Sequence, residues 1–244
     1  MKSAEEIRPD MTRLCTDVCE ALGISEPAAC VLLRNFKWSK EALMGQFFSD
    51  SEKILKSAGV YCRCGHEVPP PDTSNEMHTC QICFDDTNNM LAMPCGHSFC
   101  VDCWADFCEN AVNEGPSCVL KTCPQAECKE VVTDEEFAQA LGPSSPILQK
   151  FKSFQLRSFV ESNPLFRWCP GRGCERIAAA MSYSIMESEG SVAQCDSCDA
   201  KFCLVCAEEP HAPSTCKGLA KWLEKCKNES ETANWILANV RITT

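Results

Sequence analysis

Hydrophobic residues in the first sixty positions recur at helical intervals. In "TRLCTDVCEALG", Leu14, Val18 and Leu22 fall four residues apart, and Gly23 follows as a C-terminal stop. "SEPAACVLLRNF" begins a second helix, with Ser25 as N-cap and Pro27 in the first turn, where a missing N–H is harmless. "WSKEALMGQFF" begins a third behind Ser39, with Trp38 and Leu43 spaced as a hydrophobic staple. A compact three-helix domain is expected over residues 11–60. The period then breaks: "VPPPDTSNE" is too rich in proline and polar residues for a regular element, and residues 61–79 read as a linker. It returns in "VTDEEFAQALG", where Thr133 and Glu136 match a capping box, Val132 and Phe137 a staple, and Gly142 a stop. Residues 147–161 carry Ile147, Leu148, Phe151, Phe154 and Phe159 at helical spacing, a spacer helix that Pro164 ends. "LAKWLEKCKN" opens further helical pattern, so linker helices are expected over 217–239.

Two stretches, 80–142 and 168–216, are set apart by cysteine, and composition explains them. The chain of 244 residues has 22 cysteines. Its length favours several small units over one. The N-terminus "MKSAEEIRPDMTRL" has no apolar run like that of a signal peptide, and no stretch approaches the roughly 18 apolar residues of a membrane span. The expectation is a soluble chain outside the membrane, in the cytoplasm with the nucleus left open, whose reduced thiols bind metal rather than form disulfides. Residues 81–142 hold 2 basic and 11 acidic side chains, a net of about −9 out of −11 for the whole chain. Such a surface repels phosphate backbones and attracts basic protein partners, which argues against nucleic-acid binding.

The cysteines have a grammar. Cys80/Cys83 and Cys100/Cys103 are Cys-x2-Cys pairs, interrupted by Cys95-x-His97 and followed by Cys123-x4-Cys128. A Cys-x2-Cys knuckle presents two thiolates with the bite that tetrahedral Zn²⁺ requires, at a Zn–S distance of about 2.3 Å. If the first and third pairs share one ion and the second and fourth the other, the loops are pinned crosswise.

"CQICFDD…MPCGHSFCVDCW…TCPQAEC" resembles the first RING of the RING-between-RING ubiquitin ligases, and the lead-in "GPSCVLKTCP" is similar to Ariadne-type members. "WCPGRGCERI" and "QCDSCDAKFCLVCAEEPHAPSTC" resemble the family's in-between-RING zinc finger. That likeness implies one ion on Cys169, Cys174, Cys195 and Cys198 and another on Cys203, Cys206, His211 and Cys216. Four structural zinc ions are thus expected. The N-terminal helices, through "NFKWSKEALMGQFF", are similar to the Ariadne ubiquitin-associated-like domain. The implied architecture is a small zinc-rich multidomain chain, mostly irregular and α+β: helical domain, RING over 80–142, helical spacer, and in-between-RING finger over 168–216.

The resemblance also implies partners. RING domains receive a ubiquitin-conjugating enzyme on a shallow apolar platform, and the matching positions are Ile82, Phe107 and Pro124. Ubiquitin is implied as the cargo, and a ubiquitin-like modifier on cullin scaffolds as a partner of the N-terminal helices. In the family a second RING with a catalytic cysteine would follow "NWILAN"; here "VRITT" follows, and no catalytic residue is assigned. The leftover cysteines divide. Cys15, Cys19 and Cys30 fit a helical core, while Cys62, Cys64 and His66 offer an incomplete third site or a plain loop. Cys118 could compete for zinc or act as a thiol nucleophile, and Cys226 lies beside Lys225 and Lys227. Two functions compete: a ligase that promotes ubiquitination through a recruited conjugating enzyme, and a non-catalytic module that binds that enzyme or its conjugate.

Overall fold

A computed structural model describes residues 1–64, 77–180 and 191–240, with side chains through residue 228. The chain divides into two compact units, residues 5–163 and residues 1–4 together with 164 onward.

The first unit opens with four helices where three are expected. These are α1 (Ala4–Leu22), α2 (Glu26–Asn35), α3 (Lys40–Phe47) and α4 (Ser51–Ala58). Helix α1 starts eight residues before "TRLCTDVCEALG", because its buried stripe is Ile7, Met11, Cys15 and Val18, with Leu14 and Leu22 only half-buried. Cys15 is the apolar residue that continues the stripe toward the N-terminus. Ser25 has the extended backbone of an N-cap, but its side chain makes no capping bond. Ser39 does cap, accepting from the Ala42 N–H at 3.2 Å. Trp38 and Leu43 are both buried. Trp38 also donates from Nε1 to Ser158 at 3.1 Å and stands edge-on to Phe159 at 5.1 Å, which ties the helical domain to the spacer helix. The unexpected α4 is bracketed by Asp50, which accepts from the Lys53 N–H at 3.0 Å, and by left-handed Gly59.

Two hairpins follow. Strand β1 (His78–Thr79) pairs with β2 (Asp86–Thr87), and β3 (Met90–Ala92) with β4 (Ser98–Cys100), in the register Met90 to Cys100. Helix α5 (Val101–Glu114) buries Trp104, Cys108, Ala111 and Val112. After a 3-10 turn at Pro116–Leu120 come α6 (Asp134–Leu141) and α7 (Pro146–Ser162). Thr133 and Glu136 make the reciprocal capping box, and Phe137 stacks on Phe151 with centroids 4.0 Å apart. A strand pair this short is marginal alone, so these hairpins depend on α5 to α7 and on what their cysteines bind.

In the second unit, β5 (Phe166–Trp168) pairs with β6 (Ile177–Ala179), whose Ile177 also exchanges two backbone hydrogen bonds with Lys2, at 2.7 and 2.9 Å. Strand β7 (Val192–Gln194) pairs with β8 (Lys201–Cys203). A single 25-residue helix, α8 (Cys216–Val240), replaces the several linker helices expected over 217–239. His66, most of the proline-rich linker and Arg241–Thr244 of "VRITT" lie outside the described residues.

Candidate zinc centres

Among the described residues, sixteen Cys and His side chains gather into four groups, each with ligand atoms within 4.8 Å of one another. In the first unit they are Cys80, Cys83, Cys100 and Cys103, and then Cys95, His97, Cys123 and Cys128. The pairs therefore interleave crosswise. In the second unit they are Cys169, Cys174, Cys195 and Cys198, and then Cys203, Cys206, His211 and Cys216, which run sequentially.

The spacing fits zinc. A regular tetrahedron with Zn–S of about 2.3 Å has S···S edges of about 3.8 Å. The sulfurs of Cys83 and Cys100 are 3.8 Å apart, those of Cys95 and Cys123 3.8 Å, those of Cys174 and Cys195 3.6 Å, and those of Cys203 and Cys216 3.7 Å. All are far beyond a disulfide bond of about 2.05 Å. His97 turns Nδ1 toward Cys95 at 3.2 Å, whereas His211 presents Nε2 to Cys206 and Cys216, each at 3.4 Å. The other nitrogen of His211 donates to Ser214 O at 2.8 Å, an outer contact that fixes which nitrogen faces the metal. A set of four Cys and His donors leaves no ligand position open, so these sites organise loops and do not activate water.

Local backbone geometry builds each knuckle. The N–H of Cys80 donates to Asp85 O, that of Cys195 to Ala200 O and that of Cys203 to Glu208 O, all at 2.8 to 2.9 Å. The residue after the second ligand turns left-handed, at Phe84 (φ 63°), Asp199 (φ 57°) and Ala207 (φ 62°). In the wider Cys-x4-Cys loops the left-handed residue precedes the second ligand, at Glu127 and Gly173. There Cys123 N donates to Glu130 O and Cys169 N to Arg176 O, each at 2.8 Å. These turns aim backbone donors at sulfur. Burial opposes ionisation of Cys80, yet N–H groups of Cys100, Cys83 and Ile82 bring its pKa down to about 6. The N–H of Ser197 leads those that bring Cys195 to about 7. Cys100 is also the N-cap of α5, its sulfur accepting from Cys103 N at 3.4 Å. Gly171 lies so close to its site that an added Cβ would stand 2.6 Å from Cys198 Sγ.

Three family models match: an E3 ubiquitin-protein ligase ARIH1 UBA-like domain over residues 9–49, a C3HC4-type RING zinc finger over 79–118, and the IBR domain, a half RING-finger, over 149–216. The chain carries, in this order, the domains of the Ariadne-type RING-between-RING proteins it resembles. Its relatives include proteins named probable E3 ubiquitin-protein ligase ARI7 from Arabidopsis thaliana, 33% identical over 237 residues, and E3 ubiquitin-protein ligase ARIH2 from Mus musculus, 32% identical over 232. A third is probable E3 ubiquitin-protein ligase rbrA from Dictyostelium discoideum, 31% identical over 245. These alignments cover 96%, 93% and 97% of this chain but only 40%, 44% and 45% of the relatives, so the chain spans under half their length. The RING match ends at Cys118, and Cys123 and Cys128, the ligands expected from their Cys-x4-Cys spacing, lie beyond it and complete the second site.

The expected platform residues differ in setting. Ile82 is 44% exposed between two ligands, Pro124 is half-buried beside Cys123, and Phe107 is half-buried with its ring edge-on to Trp104 at 5.7 Å. Trp104 itself is fully buried. Sequence reasoning passed over Phe84, 78% exposed; its signal was the large apolar residue directly after Cys83, at the left-handed position of the knuckle. Lys129, the basic residue that follows the last RING ligand, is exposed. Among the leftover cysteines, Cys15 is buried and Cys19 and Cys30 are half-buried. Cys62 and Cys64 lie in a 3-10 turn whose Cys62 and Arg63 N–H groups donate to the Glu130 carboxylate at 3.2 and 3.1 Å. No metal group among the described residues includes either. Cys118 is buried outside both RING sites.

Proposed function

We propose that this chain takes part in ubiquitin transfer as the portion of an Ariadne-type ligase that receives a ubiquitin-charged conjugating enzyme. The observation that carries the reading is the exposed pair Ile82 and Phe84 on the knuckle of Cys80 and Cys83. Exposed apolar side chains held by a zinc turn, rather than by packing, form a preorganised contact surface. Half-buried Phe107 and Pro124 would add to its edge, and the acidic RING segment would steer a basic partner toward it. The curated relatives, named as ligases, support the same reading.

Burying the exposed part of Ile82 is worth about 1 kcal/mol. Ile82→Ala should weaken binding to a charged conjugating enzyme about fivefold, measured by calorimetric titration of the zinc-loaded chain. Unchanged affinity in both Ile82→Ala and Phe84→Ala overturns the platform.

A second reading, recruitment without a thiol that itself carries ubiquitin, is favoured by the thiols outside the zinc groups. Burial pushes Cys62, Cys64 and Cys118 up to about 11 and Cys108 up to about 12, opposite to what a thiolate nucleophile needs. A reducible ubiquitin adduct on Cys118 or Cys226 after incubation with charged conjugate would reject it. For the helices matched over 9–49, the partner we propose is a ubiquitin-like modifier on cullin scaffolds.

A further inference from the structure

Within the second unit, the hairpin of β5 and β6 gains a third strand from the first residues of the chain. Lys2 N donates to Ile177 O at 2.7 Å and Ile177 N to Lys2 O at 2.9 Å, the reciprocal pair of an antiparallel ladder. On its inner side β6 is reached through the neighbouring residue, where Cys169 N donates to Arg176 O at 2.8 Å. Ile177 therefore offers its own N–H and C=O to the outer edge. Such an edge is the template to which an extended segment adds a strand.

The surroundings give the edge selectivity. Met1 packs on the apolar cluster of Cys169, Ala178, Cys195 and Phe202, which contains two ligands of the third zinc group. Arg176 reaches Met1 O through Nη2 at 3.5 Å, and Asp196 aims its fork by accepting from Nε at 2.9 Å and from Nη2 at 2.6 Å. Backbone pairing at one residue, an apolar socket for the residue before it and a guanidinium at that residue's carbonyl together recognise an extended segment by its shape and its leading apolar side chain. The hold is light. Two ladder hydrogen bonds and one methionine side chain are of the same order as the entropy lost in ordering three residues, so these residues can detach while the zinc groups keep the hairpin in place.

We propose that the outer edge of β6 and the socket beside it form a docking site for an extended peptide with an apolar residue directly before the paired position, and that residues 1–3 of this chain occupy it in cis as a detachable strap. The strap covers an edge that would otherwise recruit an extended segment of another chain.

Amide hydrogen exchange of the zinc-loaded full chain, read by NMR, tests both parts. In a chain that begins at Ala4, released from a cleavable tag, the Ile177 amide should exchange about tenfold faster because its acceptor is gone, while the Cys169 amide inside the hairpin keeps its rate. Lys2→Pro retains Met1 but removes the N–H given to Ile177 O, and should accelerate Ile177 severalfold without emptying the socket. Added at millimolar concentration, the peptide Met-Lys-Ser-Ala should slow Ile177 exchange again in the shortened chain, leave the intact chain unchanged, and fail when its second residue is proline. Equal Ile177 exchange in the intact and shortened chains overturns the strap. Faster exchange that the peptide does not reverse overturns the docking site, and protection that grows with protein concentration overturns the cis assignment in favour of a second copy.

Discussion

Gly59 is the point at which the unexpected helix α4 meets the RING, and replacing it with alanine isolates that contact. Its φ is 73°, and a Cβ built there would stand 2.1 Å from Lys129 O and 3.0 Å from Val131 Cγ2. Left-handed backbone costs an alanine about 1–2 kcal/mol. The larger part comes from the carbonyl, since a contact of about 3.2 Å demands a backbone shift of about 1 Å. That shift disrupts the hydrogen bond from Val131 N to Gly59 O, now 2.7 Å, worth about 1 kcal/mol and more if either group stays buried and unpaired. The total is about 3–5 kcal/mol, which lowers the melting temperature of a unit this size by roughly 10 °C. Gly23→Ala is the control, because Gly23 has a similar φ of 66° but nothing within 4 Å of its Cβ. Urea unfolding of both variants in zinc-saturated buffer, read by near-ultraviolet circular dichroism, separates strain from contact. Equal losses in the two variants would refute the close approach of α4 to the RING.

Elemental analysis should find four zinc ions per chain, matching the four ligand groups, and a count near two would contradict the groups in the second unit. Gly171→Ala pushes a methyl against Cys198 Sγ at 2.6 Å, whereas zinc sites tolerate about 0.2 Å of displacement. Mild chelation should therefore remove one ion from this variant first, with the RING sites retained; release kinetics identical to wild type would argue against it. Folding holds the protons of Cys108 and Cys118 by raising their pKa above the ordinary 9.0, to about 12 and about 11. Their stabilisation is present below pH 9 and lost as pH rises toward 11 and 12. Neither should react with a thiol reagent in the native chain between pH 7 and 9, though both should after unfolding; mass-spectrometric mapping of labelled peptides decides this.

The knuckles were readable because their information is local. Two ligands three residues apart, with a backbone turn that returns an N–H to the first sulfur, are specified within six or seven positions. The capping box at Thr133 and Glu136 is equally local. Helix α4 carried signals too, Asp50 before it and Gly59 after, but at eight residues, with Ile54 and Leu55 half-buried and Ala58 buried, it is too short for its apolar spacing to repeat. The stripe of α1 was misplaced because its period was taken from Leu14, Val18 and Leu22, whereas Ile7 and Met11, which complete the stripe through Cys15 and Val18, lie ahead of that window.

By itself the sequence determined which residues are candidate metal ligands, the order of the three domains and the acidity of the RING, because these reside in residue types and short spacings. Tertiary structure alone decided the crosswise pairing of the RING ligands, the exposure of Ile82 and Phe84, and the meeting of Trp38 with Phe159. Each depends on segments far apart in the chain, and their burial follows from how helices and loops pack, which no local pattern records.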